Sequence, residues 1–185
     1  MKVKWMLDWL GRDYQWIESD VMSGVTRTPD FLAKNPAGQV PAVILDDGRV
    51  LAQSNAILFW LGEGTRFVPE DAFDRAKMFE WLFWEQYSHE PYVAVVRFQR
   101  FMAGKAADEI EPRLIARGEA ALDRMDAALK DRDWLAGESV TLADVALVAY
   151  TRMAGDGGFN LAPRPRLRAW IARTEAALGL EPYAA

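Results

Sequence analysis

Three stretches of the chain carry residue types that could do chemistry. The first is the pair Gln53-Ser54, ahead of the apolar run Ala56 to Leu61. A helix N-terminus offers unpaired amides and the positive end of its dipole, so a small hydroxyl there suits a carboxylate. The Gln53 amide oxygen beside it can accept from an ammonium. Together they fit an α-amino acid head group, while Ser54 alone is equally explained as the N-cap of the helix that follows. The second stretch is Gly38-Gln39-Val40-Pro41. Taken alone, Val-Pro favours an ordinary trans proline at a strand start. The trans preference is only ~0.5 to 1 kcal/mol, however, so a tight turn can hold the bond cis. A cis bond would turn the Val40 amide and carbonyl outward, free to pair with an extended peptide as a strand would. A pairing edge at Val40 and a head-group clamp at Gln53-Ser54, joined by one hairpin, would bind a short peptide end to end. The third stretch holds the one histidine, His89, close to Tyr87, Glu90 and Tyr92. A lone histidine near a helix kink is more often a partner for freed carbonyls than an acid-base catalyst.

The elements that must position these residues follow from spacing. Val3, Met6, Leu7 and Leu10 fall at i, i+3, i+4 and i+7 before Gly11, which predicts an amphipathic helix over Lys2 to Leu10. Tyr14, Trp16 and Ile17 with Val21 predict a short strand, and Thr28-Pro29-Asp30 opens a helix that Lys34 to Gly38 breaks. Ala42 to Leu45, the turn signal Asp47-Gly48 and Val50 to Ala52 make a hairpin, after which a helix runs through Leu61. Beyond Gly64 the pattern is helical throughout: Ala72 to about Met102, with Pro91 expected to kink it, then Pro112 to Leu129, Thr141 to Met153 and Pro165 to Leu178. The aromatic stripe Phe79 to Trp84 suits a core or dimer contact better than a cofactor site. Thr141-x-x-Asp144 is a capping box with Val140 stapled onto Val145, and both polar groups are consumed by the helix start they satisfy. The chain therefore divides into a small α/β domain, residues 1–63, and an all-helical domain, residues 70–185.

Composition narrows the function. With no cysteine, a disulfide, a thiolate metal site and a cysteine nucleophile are excluded for this chain, and one histidine leaves little for a metal site or a catalytic triad, so no metal is expected. A net charge of -5 argues against a nucleic-acid partner, which would need clustered Lys and Arg. Apolar runs such as Val93 to Val96 are far too short to span a membrane, and no signal-peptide pattern opens the chain, which leads to the expectation of a cytoplasmic protein.

The stretch from Asn35 to Leu61 resembles the N-terminal domain of the glutathione transferase family. Thr28-Pro29-Asp30-Phe31-Leu32, the run Phe79 to Gln86, Trp134-Leu135-Ala136-Gly137 and Thr141-Leu142-Ala143-Asp144 are similar to its bacterial members. The resemblance implies a thioredoxin-like domain followed by a helical domain, usually in a homodimer. It implies glutathione as co-substrate, with Val40 pairing the cysteinyl unit, Gln39 beside the glycyl end, and Gln53 and Ser54 holding the γ-glutamyl head. Tyr87, His89 and Tyr92 would line the pocket of a small hydrophobic electrophile. Alternatives within the same resemblance are a non-catalytic binding module and a glutathione-dependent isomerase or dehalogenase.

Two departures from the family pattern stand out. Gln53 replaces the Glu of many bacterial members, and a neutral partner for an ammonium is weaker by about 1 kcal/mol. Family members also open with a strand and a loop that carries the catalytic Tyr, Ser or Cys, whereas here Met1 stands at the start of what resembles the first helix. The catalytic residue is accordingly unknown. The expectation is that a strand and loop of ~10 residues or more precede Met1 in the complete molecule. The alternative is a sheet with exposed edges, low stability and little activity.

Overall fold

The computed structural model describes residues 1–183, in two compact units, Met1–Glu63 and a second that begins at Gly64. In the first unit, α1 (Lys2–Trp9) buries Lys2, Val3 and Met6 on one face. It stops at Gly11, which adopts φ 59° and closes its amide on the Asp8 carbonyl at 3.1 Å. Thr28 opens α2 (Pro29–Lys34), its hydroxyl accepting from the Phe31 amide at 3.3 Å with Pro29 at the first helical position. Strands β1 (Ala42–Ile44) and β2 (Val50–Ala52) pair antiparallel with Ala42 opposite Ala52 and Ile44 opposite Val50. In their turn the Asp47 carboxylate accepts from the Arg49 amide at 3.0 Å and from its Nε at 2.7 Å, so Arg49 holds the Asp47 carboxyl below its ordinary value. Helix α3 (Ser54–Gly62) packs on α1 through buried Ile57 and Leu58.

The strand expected through Tyr14, Trp16, Ile17 and Val21 does not form. Residues 12–20 have no regular structure, and Val21–Ser23 and Val25–Arg27 are single 3-10 turns, the first capped by the Asp20 carboxylate on the Met22 amide at 2.9 Å. β-rich composition supplies suitable side chains, but a strand exists only where a neighbour takes up its backbone hydrogen bonds. Among the described residues β1 and β2 pair only with each other.

In the second unit, the Asp71 carboxylate caps α4 (Ala72–Trp84) by accepting from the Phe73 and Asp74 amides, both at 2.9 Å. The same helix continues as a π-helical stretch, Glu85–Ala94, then α5 (Val95–Arg97) and a second π-helical stretch, Phe98–Met102. Pro91 lies inside the first of these. Proline cannot donate in an α-ladder, and the wider i to i+5 pattern is how this helix accommodates it. Helices α6 (Pro112–Ala128), α7 (Leu142–Thr151) and α8 (Pro165–Leu178) complete the unit. All of α7 except Tyr150 is buried, as its all-round apolar pattern requires, and α4 and α8 pack on it. Carboxylates from elsewhere finish the bundle. Arg164 cannot cap α8, so Asp126 of α6 accepts from the amides of Arg166 at 3.0 Å and Leu167 at 2.9 Å, while Pro165 has no amide to satisfy. Asp144 accepts from the Thr141 amide at 2.8 Å and the Thr141 hydroxyl at 3.0 Å, and also from the Leu135 amide at 3.0 Å and Trp170 Nε1 at 2.7 Å.

Candidate functional site

The loop before β1 is shaped by a residue that the sequence reading gave no role. Asn35 is buried; its Oδ1 accepts from the Ala37 amide at 3.2 Å and its Nδ2 donates to the Gln39 carbonyl at 2.7 Å. The Asn-Pro pair that opens this loop was the available signal for such a side-chain turn. Gly38 follows at φ 63°, where a Cβ would lie 3.0 Å from the Thr26 carbonyl oxygen, so only glycine fits. The chain then presents Gln39 and Val40 to solvent, Val40 at 45% exposure, and the Val40-Pro41 bond is cis rather than the trans form the dipeptide alone favours. Among the described residues, neither the Val40 amide nor its carbonyl is hydrogen-bonded within the protein. One donor and one acceptor are thus available together on an exposed edge.

At the far end of the hairpin, Gln53 has φ 70° and ψ 114°, the one positive φ outside glycine among the described residues. Such a backbone costs about 1 to 3 kcal/mol and persists only where its surroundings enforce it. This turn brings the chain into α3 one residue early. Ser54 is consequently the first helical residue rather than the expected N-cap, and Gln53, which holds the cap position, makes no capping bond with its side chain. Among the described residues neither the Gln53 amide group nor the Ser54 hydroxyl is engaged within the protein. An exposed amide and a half-buried hydroxyl therefore stand at the positive end of a helix dipole, an arrangement able to hold a carboxylate and an ammonium on one ligand.

The third candidate group is not brought together. Tyr87 is 83% exposed and Tyr92 is half-buried, but His89 is fully buried inside the second unit. The Thr151 hydroxyl donates to the Leu147 carbonyl at 2.7 Å and lies 3.0 Å from His89 Nε2. Its single proton is committed to that carbonyl, so His89 Nε2 carries the hydrogen and donates to Thr151. His89 is a core residue held at Nε2 by Thr151. Near it, Gln86 Nε2 donates to Glu85 and Glu90, each at 2.6 Å. Burial first, then the charges of Glu90 and Glu85, pushes the Tyr150 hydroxyl up to about 12, so it remains a neutral donor at any ordinary pH. Among the described residues no group of three or more side chains could hold a metal ion.

Known proteins show the family of the chain. Residues 1–63 match the family Glutathione S-transferase, N-terminal domain, and residues 95–177 match Glutathione S-transferase, C-terminal domain. Glutathione S-transferase GstA of Escherichia coli O157:H7 is 30% identical over 171 residues, 88% of this chain and 81% of that protein. The crystal structure of a glutathione S-transferase from Pseudomonas fluorescens Pf-5 superposes with a TM-score of 0.91 at 44% identity, covering 95% of this chain and 88% of that one. A structure of Ure2p in complex with glutathione superposes with a TM-score of 0.83 at 25% identity over 94% of this chain and 87% of the other. With a thioredoxin-like unit carrying the hairpin and an all-helical unit after it, the chain belongs to the glutathione S-transferase family.

Proposed function

We propose that this glutathione transferase holds glutathione along its first unit and adds the tripeptide's thiolate to a small hydrophobic electrophile. Val40 would pair with the cysteinyl unit through its amide and carbonyl, Gln39 would lie beside the glycyl end, and Gln53 and Ser54 would hold the γ-glutamyl ammonium and carboxylate. The observation that carries this reading is the combination at Gln53-Ser54: a strained, non-glycine backbone that leaves two polar side chains unengaged at a helix N-terminus. In the reaction the thiol loses its proton, the sulfur forms a bond to the electrophilic carbon, and the leaving group departs with the electron pair. The thiolate needs a hydrogen-bond donor that lowers its pKa and stabilises its charge. Tyr87 and Tyr92 are the candidates for contact with the electrophile, and His89 supports their helix from within. Calorimetric titration with glutathione should give saturable binding, with conjugation of a generic aromatic electrophile in the same preparation. A folded protein with no detectable glutathione binding would overturn the assignment.

On the same reading the protein works as a cytoplasmic homodimer, and among the described residues no helix is long and apolar enough to cross a membrane. The support for a dimer is the aromatic surface of the long helix. Phe83 is 72% exposed and stacks on Phe79 at 6.2 Å. A second copy of this chain would cover that surface. Sedimentation at micromolar concentration should give a dimer that Phe83→Asp converts to monomer; a wild-type monomer would refute it.

A further inference from the structure

The second unit holds a cleft of about 360 Å³, lined by the C-cap of α6, the loop that follows it and α8. Four cations line it, Lys130, Arg132, Arg166 and Arg173, against the carboxylates of Asp131 and Asp133, in a chain whose net charge is -5. Pairing within the protein answers only part of that positive charge. Arg166 Nη1 donates to Asp126 Oδ2 at 3.0 Å, while Arg173 Nη2 donates to the Asp133 carbonyl at 2.9 Å and its Nε lies 3.5 Å from Asp133 Oδ1. Asp126 also serves the Arg166 and Leu167 amides. Lys130, Asp131 and Arg132 are exposed, and among the described residues none of these three side chains has a hydrogen bond or an ion pair. No acid has closed on either of the two loop cations.

We propose that this cleft binds a small organic phosphate, its phosphate on the guanidinium and ammonium groups and its organic part against Leu129 and Ala169. Guanidinium forks match phosphate oxygens, and a lysine adds a point charge. A phosphate monoester carries about -1.5 to -2 charges at neutral pH, more than one carboxylate, so it answers several cations at once. The volume lies at the lower end of the ~300 to 1,000 Å³ of small-molecule sites, which leaves room for an organic group beside the phosphate. The cleft is independent of the reading of Gln53-Ser54, because every residue in it belongs to the second unit.

The probes are phenyl phosphate and inorganic phosphate, titrated by calorimetry at about 0.15 M salt so that remote charges are screened. The proteins are the wild type, the pair Lys130→Ala, Arg132→Ala, and the control pair Arg113→Ala, Arg117→Ala. Arg113 and Arg117 are exposed on α6 and lie outside the cleft, so the control removes the same charge from another place. The wild type should bind one phenyl phosphate per chain, more tightly than inorganic phosphate. The loop pair should weaken phenyl phosphate binding about tenfold, as two partly exposed charges do together, with an unchanged melting curve, while the control pair binds as the wild type does. No saturable binding to the folded wild type overturns the proposal. An equal loss in both pairs shows an effect of net charge alone, again against it. Equal affinity for the two probes overturns the organic part of the ligand. A lower melting temperature in the loop pair with undiminished binding assigns Lys130 and Arg132 to the end of α6 and not to a ligand. Should the loop pair fail to fold, Arg132→Ala alone decides: weaker phenyl phosphate binding supports the proposal, and wild-type affinity overturns it.

Discussion

Asp144→Ala is expected to cost the C-terminal unit about 3 to 5 kcal/mol, the scale on which a buried charged network is broken. The Asp144 carboxylate is fully buried and accepts four hydrogen bonds, from the Leu135 and Thr141 amides, the Thr141 hydroxyl and the Trp170 indole. Burial pushes its carboxyl above the ordinary value, and the four donors pull it back toward the anion. Alanine leaves every one of those donors without an acceptor in a place water does not reach, at about 1 to 3 kcal/mol for each group that cannot relax. Since a domain's whole stability is about 5 to 15 kcal/mol, most of the folded population is at risk. Asp144→Asn should be milder, because one oxygen still accepts while its amide hydrogens meet the Thr141 donors. Denaturant unfolding followed by tryptophan fluorescence measures both. A loss under about 1 kcal/mol in Asp144→Ala would mean that these helix ends find other partners.

Ser54→Ala is expected to weaken glutathione binding by about 10- to 100-fold, the effect of removing a hydrogen bond to a charged group. Stability should hardly change, because the hydroxyl serves no cap and has no partner within the protein among the described residues. Gln53→Ala should lose less, about three- to tenfold, since an amide oxygen meets the ammonium without a charge of its own. Gln53→Glu should bind more tightly than the wild type. Calorimetry on the four proteins settles the matter: unchanged affinity in both alanine variants would refute the placement of the γ-glutamyl head.

These expectations draw on information of different range along the chain. The hairpin at Asp47-Gly48, the stop at Gly11, the Thr28-Pro29 helix start and the buried α7 were legible because each is decided by residues within one or two turns of one another. The pairing of Thr141 with Asp144 was legible for the same reason, being a contact across three residues. Its remaining partners were not. Leu135 and Trp170 reach Asp144 from 9 and 26 residues away, and they make a helix cap into a hub that joins two helices and a loop.

The same limit governs the site. Local sequence made Val40, Gln53 and Ser54 candidates, because loop, hairpin and helix start lie in one short stretch. It did not determine that Ser54 is helical and Gln53 strained, because a positive φ on a side chain larger than glycine's is enforced by surroundings and not by local preference. Nor did it separate His89 from Tyr87: periodicity assigns both to one helix, but burial against Thr151 takes His89 into the core and leaves Tyr87 on the surface. The apolar residues from Tyr14 to Val21 are the clearest case. Their composition suits a strand, yet pairing is a property of two segments, and no propensity of one segment can supply the donors and acceptors of the other.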